Sequence, residues 1–229
     1  MEKNDLNSRR RFLSAVVLGA AATGVAGFVN PLQAATGSMT TLDLSSKGDA
    51  DKWFEKIKGS HRITYDGSTP HDGFPVIWTW AFYLTNNETG TPDLDMTAVT
   101  VLRHSAIGFA FKDELWEKYP IGKIFGVTDN QTGEPSKRNL YYEPQAGDFP
   151  LPGIDGIKAM QARGAMFCVC NLAIKVYSSV AAAQMGMDAE AAYKEWVAAV
   201  HPDIQLVPSG VWALGRAQEH GCGYIFAGG

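Results

Sequence analysis

The sequence predicts an α/β fold: one domain built on a parallel sheet of about five strands, with helices on both faces. Two observations predict it. A β-branched run at 98–104 and apolar runs at 165–170 and 204–207 have the composition of central parallel strands. Segments with helical spacing of apolar residues separate them, and such alternation is typical of β-α-β units. The domain is expected to occupy residues 60–229, with no internal repeat.

The other elements follow the same alternation. A first strand is expected at 61–66 and a last one at 224–226, and the aromatic segment 75–84 is interpreted as a buried helix, with a strand as the alternative. Further helices are expected where apolar residues recur every three or four positions: 112–119, 154–162, 172–183, 188–200 and 211–220. The polar segment 124–149 is long enough to predict a lid or a binding loop.

The first 35 residues have the order of a twin-arginine signal sequence. Arg9-Arg10-Arg11-Phe12-Leu13 precedes a mildly apolar run and a small-residue cleavage site at Ala34-Ala35. A membrane anchor is the alternative, but the run is shorter than the roughly 20 apolar residues that a span requires. We therefore expect the twin-arginine export machinery to carry a folded protein to a bacterial periplasm. Residues 36–59 are expected to form a tail and linker.

Composition excludes some functions. The chain is 45% hydrophobic and 19% charged, as in ordinary globular proteins, and its net charge is −4. It has no basic patch, so nucleic-acid binding is not expected. Three cysteines are too few for a disulfide scaffold, and an odd number leaves at least one thiol unpaired within the chain.

Polar or reactive side chains follow the ends of several predicted strands. Asp66 ends the first strand and leads to His71, His104 follows the second, Cys170 ends the third, and Ser209 follows the fourth. In parallel sheets, ligands bind outside these carboxyl ends. Cys170 also directly precedes a helix, whose N-terminus favours a thiolate. A catalytic or ligand role for Cys170 is thus expected, with a packed structural thiol as the alternative.

His104 is the second candidate catalytic residue. A histidine at a strand end can be a general base, a metal or haem ligand, or a structural residue. If the protein binds a metal, His104 is its expected ligand, with His71 or Cys170 as a second ligand to haem or copper. Trp116 follows closely enough to line the same pocket, so Asp66, His71, Trp116 and Ser209 are expected to surround a cofactor or small-molecule ligand.

Three segments of the chain resemble DsrE/DsrF-like proteins. Gly164-Ala165-Met166-Phe167-Cys168-Val169-Cys170-Asn171 is similar to that family's strand ending in a cysteine, and 206–211 and 216–225 resemble its closing segment. The run 99–104 fits its second strand, so the resemblance covers about 60–227. It implies a compact α/β sheet, homo-oligomers, and sulfur relay in which Cys170 carries persulfide sulfur. Relay proteins of the family are mostly cytoplasmic, whereas export is expected here.

Three functional hypotheses follow. The leading one is a periplasmic DsrE-like protein that handles a small sulfur species or redox ligand at Cys170, with His104 adjacent. The second is a non-enzymatic haem- or metal-binding protein that uses His104. The third is a ligand-binding or scaffold module in which the cysteine is inert.

Overall fold

The computed structural model describes residues 47–228, with side chains from residue 50 onward. Five strands form one sheet in which every neighbouring pair is parallel, in the order β4-β3-β2-β1-β5. The strands are β1 (His61–Gly67), β2 (Met96–Leu102), β3 (Met166–Cys170), β4 (Gln205–Val207) and β5 (Gly223–Phe226). The predicted α/β class is confirmed, as is the adjacent, parallel pairing of the three apolar segments.

Eight α-helices and three short 3-10 turns connect the strands in the described part of the chain. The helices are α1 (Lys47–Phe54), α2 (Phe74–Glu88), α3 (Asp113–Lys118), α4 (Ile121–Phe125), α5 (Ile157–Ala162), α6 (Asn171–Met185), α7 (Ala189–Ala198) and α8 (Gly210–Glu219). The 3-10 turns are His71–Gly73, Asp93–Asp95 and His104–Ala110. The aromatic segment after β1 is therefore a helix, and Ser209 caps α8 as expected.

Helices cover both faces of the sheet because the strand side chains alternate between two apolar clusters. On β2, Val99 and Val101 pack in the cluster that contains α1 and α8. Ala98 and Leu102 belong to the other cluster, which contains α2, α5, α6 and α7. All seven residues of β2 are buried, as a central strand requires.

Helix α1 lies within the segment 36–59, which was expected to form a tail and linker and of which 36–46 are outside the described residues. Its Trp53 and Phe54 are buried, and the Phe54 ring packs edge-on against Trp212 of α8 at 5.8 Å. The domain thus begins earlier than predicted, because these two aromatic rings cover one face of the sheet although polar residues surround them in the sequence. The predicted signal sequence lies outside the described residues.

The strand order determines which carboxyl ends meet. Strands β1 to β4 follow one another across the sheet in the order of the sequence. Helix α8 then crosses the face of the sheet that α1 also covers, and it places β5 beside β1. Asp66 pairs in register with Phe226 on one side and with Val101 on the other. Residues that are far apart in the sequence therefore share one edge of the sheet, which we call the carboxyl edge.

Candidate functional site

The carboxyl edge gathers side chains from all five strands or from the residues that follow them. Asp66 lies on β1, Arg103 follows β2, Cys170 ends β3, Ser209 follows β4, and Tyr224 lies on β5. The register pairs Leu102 with Val169. Arg103 and Cys170 are the next residues of the two chains, so their backbones lie level with each other. We call the group formed by Cys170, Arg103, Asp66, Tyr224 and the start of α8 the thiol site.

Asp66 orients the guanidinium of Arg103. Its carboxylate is almost fully buried and accepts hydrogen bonds from Nε of Arg103 at 2.6 Å and from Nη2 at 2.9 Å. The hydroxyl of Tyr224 donates to the same carboxylate at 2.8 Å. These hydrogen bonds raise the pKa of Arg103 and of Tyr224 above their usual values. The guanidinium is thus charged, and the side of the group that carries Nε and Nη2 is held by Asp66.

Gly210 leaves room for Arg103 at the start of α8. A Cβ added at Gly210 would lie 2.5 Å from the Cβ of Arg103, closer than atoms in van der Waals contact. The arginine stem therefore packs directly on the first residue of α8. The register of β2 and β3 places the backbone of Arg103 level with that of Cys170.

Cys170 differs from the other two cysteines in its surroundings. It is the N-cap of α6, where its Sγ accepts a hydrogen bond from the backbone N–H of Ala173 at 3.3 Å. Cys168 is fully buried, and burial strongly raises the pKa of its thiol. Burial also raises the pKa of Cys222, to about 11. All three thiols are free and all three cysteines are buried. Cys170 is the one at a helix N-terminus, a position that favours negative charge.

Two helix N-termini meet beside Cys170. The backbone N–H of Leu172, in the first turn of α6, donates to the carbonyl of Pro208 at 3.2 Å. Ser209 follows that carbonyl, and its Oγ accepts the N–H of Trp212 to cap α8. Because a helix N-terminus carries a partial positive charge, this corner of the carboxyl edge favours anions.

His104 directly follows Arg103 in the sequence, and its imidazole contacts helix α6. Its Nε2 is 3.1 Å from the hydroxyl of Tyr177, and its Nδ1 is 3.3 Å from Oγ of Ser105. The imidazole is exposed, and its backbone has a left-handed φ of +50°, which is uncommon for a residue with a side chain. His104 and Cys170 thus both contact α6, His104 through Tyr177 and Cys170 through the backbone N–H of Ala173.

His71 lines a separate cleft next to the thiol site. The cleft has a volume of about 710 Å³ and lies between the turn that carries His71 and the segment after α4. Phe125 forms part of its wall, and its ring contacts the ring of Tyr177 at a centroid distance of 5.0 Å. Tyr177 therefore separates the cleft from His104, and the structure does not bring His71 to Cys170.

The wall of this cleft is the long segment predicted as a lid or binding loop. Arg138 binds the two buried carboxylates of Asp129 and Asp148, the latter through two hydrogen bonds of 2.6 and 2.7 Å. The side chain of Asn139 donates to the carbonyls of Phe109 and Phe111. These contacts fix the segment to the body of the domain, so the cleft is formed without closure of a lid.

Trp116 is a core residue, which corrects its expected place in the lining of the site. It is 1% exposed, and its indole N–H donates to the carbonyl of Gly108 at 3.2 Å. The 3-10 turn after β2 covers the ring from above the sheet. The helical spacing predicted a helix here correctly. The apolar side of that short helix faces the core and not the site.

Sequence reasoning missed Arg103 and Tyr224 as site residues. The signal for Arg103 was its place at the end of β2, immediately before His104. Tyr224 could be found only from the strand order, because β5 lies beside β1 rather than beside β4.

The described residues contain no cluster of three or more His, Cys, Asp or Glu side chains suited to hold a metal ion. No helix within 47–228 is both long and apolar enough to cross a membrane. Comparison of the chain with protein-family models, with curated proteins and with solved structures gave no match.

Proposed function

We propose that this protein is an exported, DsrE/DsrF-like sulfur carrier in which Cys170 takes up sulfane sulfur as a persulfide and passes it on. One observation carries the proposal: the thiol lies at the N-terminus of a 15-residue helix, on the carboxyl edge, and its backbone is level with that of Arg103, whose guanidinium Asp66 fixes. The helix N-terminus and the positive charge both stabilise an anionic sulfur. The DsrE/DsrF resemblance assigns the persulfide to this same position.

The chemistry needs only thiol exchange. The Cys170 thiolate attacks the outer sulfur of a persulfide donor, a new S–S bond forms to Sγ, and the donor's S–S bond breaks. The donor's inner sulfur leaves as a thiolate with the electron pair of that bond, so no electrons are gained or lost overall. Attack by an acceptor thiolate on the outer sulfur of the Cys170 persulfide then releases it by the same steps.

Sulfur loading tests the function. The protein is incubated with mercaptoethanol persulfide, and mass spectrometry of its peptides locates added sulfur. We expect loading at Cys170 and its loss in Cys170→Ser, whereas Cys168→Ser and Cys222→Ser load normally if they fold. Timed alkylation is expected to modify Cys170 first, because burial raises the pKa of the other two thiols. Unloaded Cys170, or equal loading of all three cysteines, would contradict the proposal.

Export by the twin-arginine route is the second part of the proposal, and it rests on the sequence Arg9-Arg10-Arg11-Phe12-Leu13. Changing Arg9 and Arg10 to lysine is expected to leave full-length precursor in the cytoplasm. Cell fractionation with an antibody against the mature domain measures this. Undiminished mature protein in the periplasm of that variant would show that another route carries it.

A further inference from the structure

Two helix N-termini and one arginine bring positive charge to the surroundings of Cys170. Helices α6 and α8 both begin there, and each contributes roughly half a positive charge at its N-terminus. Arg103 adds a full charge, and Asp66 offsets it. Asp66 is the carboxylate that accepts the hydrogen bonds of Arg103. The sum is roughly one positive charge, enough to favour an incoming anion.

The Nη1 group of the Arg103 guanidinium is open to a ligand. Its Nε and Nη2 donate to Asp66, while Nη1 donates to no group among the described residues. The side chain is 28% exposed, in contrast to the 4% of its carboxylate partner. Two contacts limit movement of the Arg103–Asp66 ion pair. Tyr224 donates a hydrogen bond to Asp66, and Gly210 packs closely against the Arg103 stem. A fixed guanidinium with an open donor is suited to a carboxylate or a sulfonate.

We infer that the sulfur donor carries a negatively charged group, a carboxylate or a sulfonate, and that Arg103 binds it through Nη1 and so determines donor specificity. The inference rests on the proposed function of Cys170. The thiolate forms the new S–S bond to the outer sulfur of the donor, and the departing thiol carrier leaves with the electron pair. Arg103 holds the anionic group of that carrier while the outer sulfur lies at Sγ, and the proton on the outer sulfur stays in place.

Three donors that differ in one group test the inference on the full mature protein: the persulfides of mercaptopropionate, mercaptoethanesulfonate and mercaptoethanol. The initial rate of sulfur loading on Cys170 is measured by mass spectrometry. We expect the two anionic donors to load about tenfold faster than the neutral donor, the effect of one hydrogen bond to a charged group. Arg103→Gln is expected to slow loading from all three donors, because it removes a positive charge beside the thiolate, and in addition to remove the tenfold preference for the anionic donors.

Arg103→Lys serves as the conservative control and is expected to restore part of the preference, because it keeps the charge but not the bidentate geometry. In the unmodified protein, added salt should slow only the anionic donors. Equal rates for the three donors, an Arg103→Gln variant that slows all three alike, or salt-independent rates would overturn the inference. Failure of all three donors to load Cys170 would instead overturn the proposed sulfur-carrier function.

Discussion

Replacing Asp66 by asparagine should destabilise the domain. The buried carboxylate accepts three hydrogen bonds, two of them from the guanidinium of Arg103. In the variant, an amide NH2 group replaces one carboxylate oxygen, so it faces an N–H or O–H donor without accepting a hydrogen bond. The arginine also loses its counter-charge. Breaking a fully buried ion pair costs about 3–5 kcal/mol, but Arg103 is 28% exposed and water solvates part of its charge. We therefore expect a loss of about 2 kcal/mol in the free energy of unfolding.

Urea unfolding followed by tryptophan fluorescence, together with calorimetry, measures this loss. At roughly 3 °C per kcal/mol for a domain of this size, Tm should fall by about 6 °C. Tyr224→Phe is the matched control: it removes one hydrogen bond from the same carboxylate and leaves the ion pair intact, so its loss should be clearly smaller. If Asp66→Asn is as stable as the unmodified protein, or if Tyr224→Phe costs more, the carboxylate does not hold the guanidinium as described.

Three further predictions concern other parts of the domain. Gly210→Ala should cost about 1–3 kcal/mol in urea unfolding, since its Cβ would meet the Arg103 stem at 2.5 Å, whereas Gly215→Ala in the same helix meets nothing and should stabilise the domain; equal effects would contradict the close packing. Burial against a stacked tyrosine lowers the pKa of His201 from 6.5 to about 4, so the unfolded chain binds more protons between these values and stability should fall as pH drops from 6.5 to 4. His201→Phe should lack that part of the pH dependence, and an unchanged profile would assign it to other groups. Arg138→Met should leave two buried carboxylates unpaired and speed hydrogen exchange across the segment after α4, and unchanged exchange would mean that other contacts fix it.

Local pattern was sufficient to predict most of the fold. The apolar runs of β2 and β3 and the capping serine before α8 each carry a signal within a few residues, and the structure has these elements at the expected places. Helix α1 was missed because its signal is two aromatic rings in a polar segment, and only the face that they cover explains it.

The thiol site was only partly predictable, because its partners depend on strand order. Cys170 and Asp66 could be named from their places at strand ends. The hydrogen bond from Tyr224 to Asp66 joins residues 158 positions apart, and nothing near either residue indicates it. The orientation of His104 toward Tyr177 follows from a left-handed backbone and from a partner two turns along α6, neither of which the sequence pattern reveals.

The position of β5 beside β1 also determines when the thiol site can form during synthesis. Tyr224 leaves the ribosome last among the residues around Asp66, and it reaches the carboxylate only after α8 has crossed the sheet. The phenol that restrains Asp66 and the helix start that packs on Arg103 both come from residues 210–226, after β1, β2 and β3 in the sequence. Pairing over such a sequence separation is slow, because the loop must close before the contacts form. The charged cluster is therefore complete only after β5 is made and paired, so a partly folded protein without β5 has the cysteine without its full surroundings.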